Sequence, residues 1–167
     1  LQKLFTNKDY SFAEPGNVKV LVGDPKGKGE EKATRANFLD SLRTLVKEVQ
    51  PADTVIIGFI GQGAPLGESG DRRTYLLADS TFKNRDKDGV ATEEIEEVMK
   101  KFKGKKLAVF LDVDFKGMTD DAAKGIAEPS LGKSPYREFL GDDGSEEHVQ
   151  MPGRVAFLAT NGLTPSL

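Results

Sequence analysis

Apolar positions along the chain fall into short continuous runs separated by polar, glycine-broken stretches. "VKVLVG" (Val18 to Gly23) is β-rich and runs into Asp24-Pro25, which predicts a strand followed by a turn. "DPKGKGEEK" reads as a polar loop. In "ATRANFLDSLRTLVKEV", Phe38, Leu39, Leu42, Leu45 and Val46 recur at helical spacing, with Thr34 as N-cap and Pro51 as the stop. "DTVIIGFIGQG" is apolar almost throughout, as a central parallel strand covered on both faces would be. "TYLLAD" predicts a short extended piece and "NRDKDGV" a loop. "TEEIEEVMKKF" predicts a helix capped by Thr92, acidic in its first turn, basic in its last, and ended by Gly104. "KKLAVFLD" and "GRVAFLAT" predict two further strands. Between them the chain is rich in glycine, proline and acids, with a short helix expected around Tyr136 to Leu140.

Strands alternating with helices imply an α/β fold, a mostly parallel sheet sandwiched between helices. In such folds ligands sit beyond the carboxyl ends of the strands. Two of those ends carry unusual residues, Gly61-Gln62-Gly63 and Asp112-Val113-Asp114. The length, 167 residues, suits one domain.

Composition narrows the chemistry. A net charge of −3, with lysines and acids interleaved, gives no nucleic-acid footprint. No apolar run approaches a membrane span. The absence of cysteine excludes a disulfide framework, a thiolate metal site and a thiol nucleophile within these residues. The first residue is Leu1, so a fragment or a processed product is expected.

The two strand ends lie about 50 positions apart, the spacing that separates the general-base histidine from the nucleophilic cysteine in caspase-type proteases. The local strings fit as well. "DTVIIGFIGQG" resembles the family's strand ending in Ser-Gly-His-Gly, and "LAVFLDVDFKG" resembles the strand ending in Asp-Ala-Cys. "GDRRTYLLADS" resembles the family's Gly-Asp-x-x-Tyr-Leu-Leu-Pro-x-Asp stretch. "ATRANFLDSLRTLVKEVQPADTV" is similar to a helix and lead-in of bacterial metacaspases. The resemblance runs from about Val18 to Leu167 and implies a caspase-like fold for residues 1–167. It also implies a first strand before "LQKLFTN" and a small-subunit portion after "ATNGLTPSL". Both are expected to come from further residues of the natural protein, another chain or a second copy.

The departures decide the expected activity. The histidine position is Gln62 and the cysteine position is Asp114; Ile60 and Lys116 replace flanking serines. A caspase-type reaction needs a thiolate to attack the carbonyl and an imidazole to move the proton. A glutamine amide does not titrate near neutral pH and cannot be that base. With both members replaced, the resemblance implies a catalytically inactive pseudo-protease, a regulatory or peptide-binding module. In metacaspases the aspartate two before the nucleophile lines a pocket for Arg or Lys, which corresponds to Asp112 here. Asp112 and Asp114, with Gln62 and Gly63, are therefore the candidate binding residues for a basic peptide or protein. Two neighbouring carboxylates favour a cation between them. The alternative is that Asp114 caps the following segment and Asp112 is solvated.

A different chemistry fits the same string. An apolar strand ending in Asp-x-Asp resembles the first motif of haloacid-dehalogenase-like phosphatases, where the first Asp attacks phosphorus, the second is acid/base and Mg²⁺ bridges them. Lys116 and the late position of the motif depart from that family. A Mg-dependent phosphatase-like or otherwise altered hydrolase using Asp112-x-Asp114 is thus the alternative function. "NRDKDGVATEEI" imitates the first half of a calcium loop, with Asn84, Asp86, Asp88 and Gly89 at ligand spacing, but its twelfth position is Ile95 rather than a bidentate glutamate. It reads as a polar turn, with Asp86 and Asp88 as weak Ca²⁺ candidates; no other cofactor is expected. Arg72 and Arg73 read as surface charges or partners of Asp71 and Asp79, and His148 as an exposed loop residue.

Overall fold

The computed structural model describes residues 5–7, 9, 12–67, 72–104, 106–115, 137–140 and 153–159. His148, Lys116, Asp71 and the acid-rich stretches on either side of Tyr136 to Leu140 lie outside them. After a 3-10 turn at Pro15–Asn17, the chain runs β1 (Val20–Val22), β2 (Glu30–Lys32), α1 (Arg35–Glu48), β3 (Thr54–Leu66), β4 (Arg72–Leu76), α2 (Arg85–Asp88), β5 (Val90–Ala91), α3 (Thr92–Met99), β6 (Lys106–Asp114), α4 (Arg137–Leu140) and β7 (Arg154–Leu158).

The α/β class holds, but the sheet is mixed rather than mostly parallel. The main sheet has the order β5-β4-β3-β6-β7. Strands β3, β6 and β7 run parallel, whereas β4 is antiparallel to β3 and β5 antiparallel to β4. The long strand β3 belongs to both arrangements. Its residues Thr54 to Gln62 pair with β6, and Gln62 to Leu66 pair with β4. The reason is the short return after Leu66. Gly67 takes a left-handed φ of 79° at the turn, and so short a return favours an antiparallel neighbour.

Two expectations about local structure are corrected. The segment "DPKGKGEEK" is not all loop. Glu30 to Lys32 form β2, which pairs in parallel with β1 in a two-stranded sheet of its own. The Glu30 carboxylate holds the intervening loop by accepting from the N–H groups of Lys26 at 2.8 Å and Gly27 at 2.6 Å, bonds that hold its pKa below the ordinary carboxylate value. Helix α3 starts at Thr92 with Ala91 as its N-cap; the Glu94 carboxylate accepts from the Ala91 N–H at 3.1 Å. The expected Thr34 cap of α1 is present, its hydroxyl accepting from the Asn37 N–H at 3.2 Å.

Packing follows strand alternation. On one face of the sheet Val55, Phe59, Leu107, Val109, Leu111 and Val113 join Leu39, Leu42 and Val46 of α1, Ile95 and Met99 of α3, and Phe139 of α4 in one core. Its centre is aromatic. Phe59 and Tyr75 meet edge-on at 5.1 Å, Tyr75 and Phe139 at 5.4 Å, and Phe38 and Phe59 at 5.8 Å. Truncating a buried ring of this kind to alanine costs about 3–5 kcal/mol.

The other face corrects the expectation of a strand covered on both sides. Alternate positions of β3 and β6 are open: Ile56, Ile60 and Phe110 are exposed, as are Val155 and Phe157 of β7. Phe110 and Phe157 stack at 4.8 Å on this outer surface. Among the described residues, the helices bury their apolar sides in the single core on the opposite face.

Candidate functional site

Nine consecutive residue pairs tie β3 to β6, from Thr54 with Lys106 to Gln62 with Asp114. Paired residues of parallel neighbours point to the same side, about 4.8 Å apart across the sheet. Gln62 and Asp114 therefore stand side by side at the carboxyl ends of adjacent strands. Ile60 and Asp112 form the next same-side pair. Asp112 and Asp114, two residues apart on one strand, share a face, about 6–7 Å from each other along it. That face is the open one. Gln62 is exposed, while Asp112 and Asp114 are half-buried.

The structure thus brings together Gln62, Asp112 and Asp114. Gly63 lies on the other side. It is buried in the core face, and a Cβ built on it would come within 2.2 Å of the Phe115 ring and 2.9 Å of the Thr74 carbonyl oxygen. Glycine here lets Phe115 fold under the strand end directly after Asp114. Asp86 and Asp88 are not in an extended calcium loop. They sit in the one-turn helix α2, where the Asp88 carboxylate accepts from the Thr81 hydroxyl at 2.9 Å. Among the described residues no group of three or more His, Cys, Asp or Glu is arranged to hold a metal ion.

Beneath the strand ends lies a charged cluster that the sequence did not reveal. Arg73, expected at the surface, points inward with only 12% of its side chain exposed. Its guanidinium lies 5.8 Å from the centre of the Phe115 ring and 3.7 Å from the Glu138 carboxylate. Tyr75 donates its hydroxyl to the other carboxylate oxygen of Glu138, 2.5 Å away. Burial raises the pKa of Glu138 above the ordinary carboxylate value, against the lowering effect of Tyr75 and Arg73. Of the two acids expected to serve these arginines, Asp71 lies outside the described residues. Asp79 accepts instead from the Arg35 backbone N–H at 2.9 Å, and Arg72 pairs with Glu93 at 2.6 Å. The available sequence signal was strand alternation, which puts one of two adjacent arginines inside.

A second anchor stands at the far end of α4. Arg154 donates to the carbonyl oxygens of Leu140 at 2.7 Å, Phe102 at 3.1 Å and Gly104 at 3.1 Å, and its guanidinium lies over Phe102 at 5.0 Å. One side chain of β7 thus ties the ends of two helical segments to the sheet.

Chemically, the strand ends present two carboxylates and an amide. They can accept hydrogen bonds from a cationic group and balance its charge. They supply neither a thiol nor an imidazole.

No protein-family model matches the chain, and no curated protein matches it. Among solved structures, the crystal structure of protein GSU0716 from Geobacter sulfurreducens is similar over 52% of this chain and 32% of that one, with 20% identity and a TM-score of 0.41. The chain spans about a third of that protein's length. Likeness of this degree assigns neither family nor function.

Proposed function

We propose that the chain is a caspase-like domain without peptidase activity, acting as a module that binds a basic peptide or a protein segment. The observation that supports this is the direct pairing of Gln62 with Asp114 on adjacent parallel strands. A histidine–cysteine dyad built on these two positions would stand side by side on one face, as transfer of a proton from thiol to imidazole requires. In their place are a non-titrating amide and a carboxylate, a poorer nucleophile towards an amide bond than a thiolate. What such an end keeps is the capacity to bind. Asp112 and Asp114 together take the ammonium or guanidinium of a substrate-like side chain, and Gln62 offers an amide donor and acceptor beside them.

The test has two parts. Arg-, Lys- and Asp-directed peptide substrates are uncut by the natural sequence, and the double change Gln62→His with Asp114→Cys yields measurable cleavage of a basic substrate. No cleavage by the double variant, in a protein with unchanged circular dichroism, would count against the caspase-like assignment.

The same-side placement of Asp112 and Asp114 also suits a second reading, a Mg-dependent phosphatase-like site. Turnover of p-nitrophenyl phosphate with Mg²⁺, lost in Asp112→Asn, would favour it over the first.

A further inference from the structure

The open face of the sheet is polarised along the strands. In chain order, the outward positions of β6 are Lys106, Ala108, Phe110, Asp112 and Asp114, a cation at one end, apolar residues in the middle and two acids at the other. Beside them β3 presents Ile56, Gly58 and Ile60, and β7 presents Val155 and Phe157. Ile60 is 74% exposed, an unusual position for an isoleucine on a strand in the middle of a sheet.

We infer that this face binds a second copy of the chain, the two sheets packing face to face with their strands antiparallel. The pattern of charge carries the inference. A two-fold axis lying in the interface and crossing the strands at the Gly58–Phe110 pair reverses the order of positions along them. It places Lys106 of each copy over Asp114 of the other, Ile56 over Ile60, and Phe110 over its own equivalent. Unlike charges then meet at both ends of an apolar centre, with one patch serving as both halves of the contact, as a closed two-fold interface requires. The alternative axis, along the strands, would set the acids of one copy over the acids of the other, and like-charge contact disfavours it. A basic or acidic partner of another kind would match only one end of the face. The patch is about 26 Å long and about 14 Å wide from strand dimensions, a footprint that suits a weak, reversible dimer rather than an obligate one.

The inference needs the fold and not the pseudo-protease assignment, although both use Asp114. Sedimentation equilibrium on the chain at concentrations rising to about 1 mM, a range that covers weak association, gives a mass approaching twice 18.2 kDa. Lys106→Glu alone and Asp114→Lys alone each weaken self-association by about tenfold or more, as loss of facing charge pairs does. The double variant Lys106→Glu with Asp114→Lys restores it, because the swapped charges face each other again. Raised salt weakens the dimer, and Phe110→Glu abolishes it. A monomer at every concentration, or single and double variants that associate alike, overturns the inference. Titration of Lys106→Glu with an Arg/Lys peptide separates the two uses of Asp114. Peptide binding by a variant that stays monomeric leaves the binding module standing, and its absence there bears on that module alone.

Discussion

Gln62 and Asp114, about 50 positions apart in the chain, are register partners at the ends of two parallel strands and face the same side of the sheet. This juxtaposition brings two separate motifs together, and under the proposed binding function it sets what a binding experiment should find. Asp112→Asn with Asp114→Asn removes both negative charges while leaving side-chain size nearly unchanged. Isothermal titration with an Arg- or Lys-containing peptide is expected to show roughly tenfold or greater weakening relative to the natural sequence, given about 1.5–3 kcal/mol for a hydrogen bond to a charged group. Gln62→Ala, which removes an amide and no charge, is expected to weaken binding less. Equal affinity in the natural and double-Asn proteins would remove Asp112 and Asp114 from the binding surface.

Gly63 next to Gln62 is a packing requirement. Its missing Cβ leaves the space filled by Phe115, and any added methyl would meet that ring at 2.2 Å. Gly63→Ala is therefore expected to destabilise the fold by about 1–3 kcal/mol, the usual cost of overpacking a close-packed interior. The check is the urea midpoint at constant slope. Gly63→Ala with Phe115→Leu, which frees room at the same place, is expected to recover part of the loss.

The parts of this fold that were readable in advance are those where one short-range signal decides. Thr34 caps α1 because a hydroxyl at that position accepts from the Asn37 N–H, and the apolar runs became β3, β6 and β7. Pairing was less readable. The apolar string of β3 looked like a strand buried on both sides, yet Ile56 and Ile60 are exposed, since hydrophobicity records a tendency to be covered and not what does the covering. The antiparallel arm leaves no local signal in the sequence, because β3 changes partner at Gln62 within one unbroken strand. The neighbourhood of Gln62, Asp112 and Asp114 is legible from their place at strand ends. That of Arg73 and Glu138 is not, because their burial depends on contacts between segments more than 60 residues apart in the chain, as the Tyr75–Glu138 bond shows.

Arg154 is expected to matter for stability more than any exposed charge. Its guanidinium satisfies three carbonyl oxygens, those of Leu140, Phe102 and Gly104. Arg154→Met keeps the aliphatic stem against Phe102 and leaves those carbonyls unserved. A loss of about 2–4 kcal/mol is expected, from the penalty for orphaned polar groups added to the lost charge-assisted bonds. Arg72→Met, which breaks the half-exposed pair with Glu93, is expected to cost about 0–1 kcal/mol. Comparable losses in the two variants would show that Arg154 holds no more than a surface contact.

Glu138 gives the fold a pH dependence whose sign can be worked out. Burial raises its pKa above the value of 4.5 taken for an unhindered glutamate, so between pH 4.5 and the folded-state value the folded protein holds a proton that the unfolded chain has released. Stability then falls as pH rises through that window. Glu138→Gln has no such proton. Relative to the natural sequence it is expected to be progressively better placed as pH rises above 4.5 and to show a constant difference below it. The absolute difference also contains the loss of the Arg73 ion pair, which disfavours the variant, so the slope with pH is the quantity to measure. Tyr75→Phe sharpens the test. The Tyr75 hydroxyl lowers the Glu138 pKa by hydrogen bonding to the carboxylate, and its removal is expected to extend the window to higher pH, where Glu96, the other carboxylate acting on Glu138, already favours the protonated form. Parallel stability–pH curves for the natural protein and Glu138→Gln from pH 4 to 8 would mean that Glu138 titrates no differently in the folded and unfolded chains.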